Sequence, residues 1–257
     1  MPVSFFGWVW FLIGKYGPLF LRGTWITLLV AISGTVFGFV VGLLVAIARS
    51  LSAPPRSGLL PRAGVRLLHT VLAIYIEVFR GTPMIVQAMV IYYGAAQYLR
   101  LNMNELAAAV LIVSINTGAY MAEIIRGGIL SVDAGQSEAA RSIGMSHWQT
   151  MVSVVLPQAI RNIMPSIGNE FVVNIKDSSV LNVIAVSELF FMSKSAAGTY
   201  LRYFEVFFIT GIIYLILTFT VTRLLRLLER RMDGPRHFTV FGSQSDSRAE
   251  ISYVREE

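Results

Sequence analysis

A carboxylate stands where an ionised group is costly. Glu170 interrupts the apolar stretch Ser166 to Ile175, and no lysine or arginine lies within that stretch. A charged side chain inside lipid needs a partner or a water-filled cavity, so Glu170 is a binding group before it is anything else. Its counterpart is either a cationic ligand or a protein arginine or lysine. Asn116 and Tyr120 lie one helical turn apart on another apolar stretch and share a face. They could line one cavity, with Ser166 joining them, or they could make hydrogen bonds between helices. Glu77 and Arg80 are spaced i, i+3, which favours a structural ion pair over contact with a ligand. Lys176 and Asp177 follow Glu170 at the end of its helix. There they could cap the helix, touch a partner protein or close a gate.

Covalent catalysis finds little to work with. The chain has no cysteine, which excludes disulfides, thiolate metal sites and thiol nucleophiles. His69, His147 and His237 are far apart in sequence, so a histidine metal cluster is not expected. No G-x-x-x-x-G-K-[ST], G-x-S-x-G or H-E-x-x-H occurs, so the chain holds no nucleotide through a P-loop and shows no hydrolase signature.

The elements that position these residues are set by composition. Of 257 residues, 55% are hydrophobic and 14% charged, against about 25% charged in soluble domains. With a mean hydropathy of +0.64, the chain is predicted to be an all-α membrane protein. Thr24 to Ala48 carries no charge and forms the clearest span. Gly34, Gly38 and Gly42 recur every four residues, which either lets a neighbouring helix approach closely or reflects the abundance of glycine in membrane helices. Leu67 to Leu99 is too long for one straight span. It reads as a helix near the surface to Phe79, a break at Gly81-Thr82-Pro83, and a span to Tyr98. Leu106 to Ile125 is the third span. Arg126 to Pro165 is amphipathic, Ser166 to Ile175 with its flanks is the fourth span, and Phe204 to Leu225 is the fifth. Val180 to Met192 is too short to cross.

Three regions result: an interfacial segment over 1–22 with Trp8, Trp10, Phe11 and Tyr16 at headgroup level, a transmembrane domain over 23–232, and a polar tail over 233–257 expected to be disordered. The net charge of +6 is carried by arginines between apolar runs, which suits topology rather than nucleic acid. Arg49, Arg56, Arg62 and Arg66 follow the first span. Arg126, Arg141 and Arg161 follow the third, and Arg223, Arg226, Arg230, Arg231 and Arg236 close or follow the fifth. The positive-inside rule then puts the N-terminus outside and the C-terminus in the cytoplasm.

One polar segment has its own pattern. Glu138 to Ile143 is a good helix former, and Gly144 can end it in the left-handed region. His147 to Leu156 then restarts a helix before Pro157. This predicts a helix–turn–helix between the third and fourth spans, with Ala139 and Ala140 on a smooth surface suited to a partner's groove. An ordinary loop on the membrane is the alternative.

Glu138-Ala139-Ala140-x-x-x-Gly144, with the run ending in Leu156-Pro157, resembles the EAA motif of ABC importer permeases. Phe79-Arg80-Gly81-Thr82-Pro83, Asn116-Thr117-Gly118-Ala119-Tyr120 with Glu123, and Asn169-Glu170-Phe171 with Lys176-Asp177-Ser178-Ser179 resemble the polar amino acid uptake subfamily. The resemblance covers Gly23 to Arg231. It implies five spans and a coupling helix, in which Glu138, Ala139, Ala140, Gly144 and Met145 dock on an ATPase. Two permeases, identical or paired, would form the pathway in the bacterial inner membrane. Two ATP-binding cassette subunits would carry the ATP and Mg, so this chain would hold no cofactor and catalyse no reaction. An extracytoplasmic binding protein would deliver a polar or charged amino acid, or an opine-like derivative, whose ammonium or cationic side chain Glu170 would meet. The rival readings are an autonomous ion-coupled secondary transporter, disfavoured by five spans without a visible repeat, and a membrane enzyme.

Overall fold

The computed structural model describes residues 2–51 and 58–232, and the backbone of two short strands at 239–241 and 250–252. Helix α1 spans Phe5–Ser50, and Ser4 caps it by accepting from the Gly7 N–H at 3.2 Å. Its 46 residues make a rod of ~69 Å, more than twice a bilayer's hydrocarbon core. From Phe5 on, the segment expected as a separate short helix is instead the opening part of α1, continuous with the span. Pro18 lies inside the rod, and the cost of its missing N–H is outweighed by packing. Trp8, Leu12 and Phe20 are buried against Leu189, Ala196, Ala197, Val206 and Ile209 of the last two helices.

Helix α4 (Glu105–Leu130) lies along the second half of α1. The glycine ladder is the reason it fits. A Cβ on Gly34, Gly38 or Gly42 would come within 2.3 Å of Val113, 2.7 Å of Thr117 and 2.4 Å of Met121 respectively. The Val113, Thr117 and Met121 side chains of α4 seat directly on the bare glycine backbone of α1, the close approach that small residues allow in lipid.

Helices α2 (Leu59–Gly81) and α3 (Met84–Tyr98) are separated by Thr82 and Pro83, where the sequence predicts the break. Their division of labour differs from the expectation. Helix α3 has 15 residues, about 22 Å, and is short for a span on its own. Helix α2 starts beside Arg49 and climbs along α4. The Tyr75 hydroxyl donates to the Ile115 carbonyl at 2.6 Å, and Ile76 packs on Val45 and Ala122. Beyond the break, Ala88 of α3 joins Val30, Ala109 and Ile112 in a core cluster.

After α4 come α5 (Ala134–Ser142), α6 (His147–Thr150), a π-helical turn (Met151–Val155) and α7 (Leu156–Asp177). The sequence places the start of the fourth span near Ser166, but helix runs on from His147 through Pro157. Pro157 has no N–H to give its preceding turn, and the wider π turn absorbs the mismatch. A 3₁₀ turn (Ser178–Ile184) leads to α8 (Leu189–Tyr200), then α9 (Tyr203–Met232). Gly128 admits Ile163 between α4 and α7, and Gly168 admits Leu225 between α7 and α9. Of the tail expected to be disordered, Thr239–Phe241 and Glu250–Ser252 pair as antiparallel strands; its remaining residues lie outside the described set.

Among the described residues, α1, α2, α4 and α9 are each long and apolar enough to cross a membrane. The unit His147–Ile184 with Leu189–Tyr200, bent by 57°, makes a fifth.

The glycine ladder generates a direct test. Gly38→Val should destabilise the folded chain in detergent by about 1–3 kcal/mol, read as a lowered thermal midpoint. Gly14→Val, whose Cβ has nothing within 4 Å, should leave the midpoint unchanged.

Candidate functional site: two helix breaks, a charged cluster and an exposed turn

The first break is closed by two amides. Gln87 Nε2 donates to the carbonyls of Phe79 and Thr82 and to Thr82 Oγ1, each at 2.9 Å. Asn116 Nδ2 donates to the Phe79 carbonyl at 3.2 Å and to Gln87 Oε1 at 2.8 Å. Carbonyls freed at a helix end have no water to turn to inside a bilayer, and these side chains take its place. Asn116 thus makes the interhelical bonds that were one of its two sequence readings. Gln87 was not singled out there; an amide four residues after Pro83, facing an asparagine on the next apolar helix, is the signal that could have found it.

The second break, between Ile184 and Leu189, is closed by Glu188. Its side chain is fully buried, in the stretch Val180 to Met192 that the sequence marks only as too short to cross. It accepts from the N–H groups of Phe190 at 2.9 Å and Phe191 at 2.7 Å, capping α8, and from the Tyr214 hydroxyl of α9 at 3.0 Å. The positive end of the α8 dipole stabilises the carboxylate. Thr27 of α1 accepts from the Leu189 N–H at 3.3 Å. A Cβ on Gly23 would sit 2.7 Å from Leu189 Cα, so α1 is pressed directly onto this break.

Between the breaks lie the charged residues. Glu170 is half-buried and about two turns before the end of α7, nearer that end than the sequence suggests because α7 extends further back. Arg80 and Asp177 are the charged side chains whose fields reach it. Arg80 forms no ion pair with Glu77; its guanidinium lies 5.6 Å from the Tyr120 ring centre instead. Arg80 stands in the last turn of α2, where the Tyr120 ring of α4 takes its guanidinium in place of the exposed Glu77 on its own helix. Tyr120, Arg80 and Glu170 therefore surround one region, with Tyr120 half-buried. Ser166 is exposed one turn before Glu170 on the same face. Behind them a buried trio locks three helices together. Asn174 Nδ2 donates to Thr35 Oγ1 at 2.8 Å, and Thr117 Oγ1 donates to Asn174 Oδ1 at 3.1 Å.

At the arginine-bearing end of the bundle, Glu123 accepts from Arg49 at 2.6 Å and from Arg126 at 2.7 Å, tying α1 to α4. The α5 turn projects beyond. Asp133 caps α5, accepting from Gly135 N–H at 2.7 Å. Gly144 ends it with φ +86, as its position predicts. Gly144 N–H donates to Arg141 carbonyl and Met145 N–H to Ala140 carbonyl, the paired bonds of a Schellman end. Ser146 and Gln149 cap α6 reciprocally. Glu138, Ala139 and Gly144 are exposed and Met145 is half-buried. Ala140 is buried, turned toward the chain's own π turn, so the smooth surface is formed without it. Ile143 and Trp148, 80% and 74% exposed, complete that surface instead.

This arrangement has relatives. Residues 57–234 match the family of binding-protein-dependent transport system inner membrane components. The chain belongs to that family. The glutamine transport system permease protein GlnP of Escherichia coli (strain K12) is 37% identical over 87% of this chain and 97% of its own length. The arginine transport system permease protein ArtQ of Bacillus subtilis (strain 168) is 32% identical over 84% of this chain and 93% of its own. A crystal structure of an amino acid ABC transporter with histidines contains a chain that is 39% identical, covered in full, and superposes with a TM-score of 0.79 over 90% of this one. As a member of the family this chain is a permease subunit of a transport system, and the secondary-transporter and membrane-enzyme readings lose their basis.

The amides at the first break carry a consequence. Gln87→Leu leaves the Phe79 and Thr82 carbonyls short of donors and should cost about 1–3 kcal/mol, measured as a lowered thermal midpoint of the purified permease. A midpoint equal to that of the native chain would mean that the break is held by other groups.

Proposed function

We propose that this permease forms half of the pathway of an ATP-driven importer in the bacterial cytoplasmic membrane, for a polar or charged amino acid or an opine-like derivative. The observation that carries the substrate class is the Arg80 guanidinium held against the Tyr120 ring, with the half-buried Glu170 carboxylate as the opposite charge near it. The two are in electrostatic reach, yet Arg80 is engaged with the ring rather than bonded to the carboxylate. A zwitterion fits between them, its ammonium on Glu170 and its carboxylate on Arg80. Ser166 lines the same chamber from the preceding turn of α7. Asn116 lines it from the break, where its Nδ2 also holds Gln87 in place. The relatives named for glutamine and arginine support an amino acid as the solute.

In this reading the chain crosses five times, N-terminus outside and C-terminus in the cytoplasm. Helices α2 and α3 make a single interrupted crossing, and so do α7 and α8 with the helical run that precedes them. Support comes from the Arg49–Glu123–Arg126 cluster, which brings the arginine-rich ends of α1 and α4 to one face. The α5 turn emerges on that face. It docks in a cleft of an ATP-binding cassette subunit, which holds the ATP and Mg, while this chain remains non-catalytic. Glu138, Ala139, Ile143, Gly144 and Met145 meet the ATPase, and Ala140 acts from beneath by fixing α5 on the π turn. A second permease, the same chain or a paralogue, completes the pathway. An extracytoplasmic binding protein delivers the solute at the opposite face.

Two substitutions test this. Glu170→Gln keeps the shape of the side chain but removes its charge. It should reduce solute uptake by the reconstituted complex at least about tenfold, as expected for a lost charged hydrogen bond, with membrane insertion unaffected. Undiminished uptake and solute-stimulated ATPase would exclude Glu170 from the solute site. Gly144→Asp places a side chain at φ +86, so the α5 turn must reshape. ATP hydrolysis should continue while uptake is lost; normal uptake would remove the α5 turn from the coupling path.

A further inference from the structure

A polar cavity adjoins the Arg49–Glu123–Arg126 cluster, apart from Glu170 and the α5 turn. It lies between the end of α1 and the first half of α2, has a volume of about 520 Å³, and is lined by Arg49, Arg62, Arg66, His69 and Thr70 among others. Among the described residues, no acidic side chain lines it. His69 Nε2 is buried here without a hydrogen-bond partner. A buried nitrogen left unpaired is costly and calls for an acceptor or donor supplied from outside the described chain. Arg49 already gives one N–H to Glu123 and retains others. The neighbouring flank of α2, one residue further round the helix, is apolar and uncovered: Leu67, Val71 and Ile74 are 66%, 53% and 57% exposed. Cationic groups therefore sit beside a greasy flank on one helix, near the end of a membrane crossing.

We infer that this cavity binds the phosphate headgroup of an anionic phospholipid, with the acyl chains laid along Leu67, Val71 and Ile74. Arg66 and the guanidinium nitrogens of Arg49 supply charge-assisted donors to the phosphate oxygens. In its Nε2–H form, His69 donates to the same group, and the Thr70 hydroxyl is positioned to add another bond. A phosphate dissolved in water shares this headgroup chemistry but makes no use of the apolar flank. That flank decides the assignment in favour of lipid. The bound headgroup would brace the start of α2 against α1, the point from which the interrupted α2–α3 crossing departs. The site holds whichever leaflet it faces and is independent of the solute reading.

The test is native mass spectrometry of the full-length tagged chain, purified with its co-purifying subunits, stripped of lipid in detergent, and titrated with dioleoyl phosphatidylglycerol or dioleoyl phosphatidylcholine. The native chain should retain phosphatidylglycerol and not phosphatidylcholine. Arg66→Gln should weaken that retention roughly fivefold, the effect of one arginine near a lipid surface. His69→Asn should weaken it too, while Arg226→Gln, on α9, should not. Equal retention of phosphatidylglycerol by the native chain and both cavity variants would overturn the site. So would equal retention of the two lipids. Displacement of the lipid by millimolar inorganic phosphate would overturn the lipid assignment in favour of a soluble anion.

Discussion

Inside a bilayer an unpaired peptide group has nowhere to go, and this chain interrupts its apolar helices at two places, before Met84 and before Leu189. Much of its architecture follows from how those breaks are closed. At Thr82–Pro83, two amides from α3 and α4 stand in for the missing helical turn. Before Leu189, a buried carboxylate caps α8, and a hydroxyl from α9 holds that carboxylate in place. In both cases the closing group comes partly from a neighbouring helix, so the break cannot persist unless the bundle is assembled. Local structure and tertiary packing are therefore a single problem here. Glu188 is the clearest instance: an ionisable group with no cation beside it, tolerated because two backbone donors, a helix dipole and a tyrosine replace its water.

Close helix packing makes those reach-across bonds possible. Lipid tails are as apolar as leucine, so burial of side chains alone does not drive helices together in a membrane. The glycines of α1 remove the side chains that would otherwise separate it from α4. The buried Thr35–Asn174–Thr117 chain then adds polar bonds in a place where alternatives are few. Further along, Gly128 and Gly168 extend the same device to α7 and α9. The result is a closely packed α1–α4–α7 unit, with Glu170 on α7 and Arg80 at the end of α2 beside it.

Several of these features are legible in the residues alone. The charge-free stretch of α1, the glycine spacing, the break at Gly81-Thr82-Pro83 and the left-handed end at Gly144 each follow from local chemistry, and each is found. What the residues conceal is nonlocal. Pro18 and Pro157 look like stops, but packing on α8 and α9 carries the helix through the first, and a π turn through the second. Glu188 resembles a loop charge until α1 and α9 close around it. Ala140 and Ala139 are indistinguishable in sequence, yet one faces inward and the other outward, because the direction of α5 is set by the helix after it. Arg80 seems paired with Glu77 by spacing, and a ring on another helix takes it instead. Residues whose partners lie on the same helix are readable; those whose partners lie on another helix are not.

In the proposed function the α5 turn is the contact through which a nucleotide-driven partner moves the crossings, Glu170 and Arg80 receive the solute, and the chain works as one subunit of an assembly. The most direct measurement is to tag the chain, extract it from its native membrane in mild detergent, and identify the co-purifying proteins by mass spectrometry. A P-loop ATPase is expected in comparable amount, with either a second permease or further copies of this chain. A chain that purifies alone, with no ATPase captured even after cross-linking at Ala139 or Trp148, would contradict the proposed assembly.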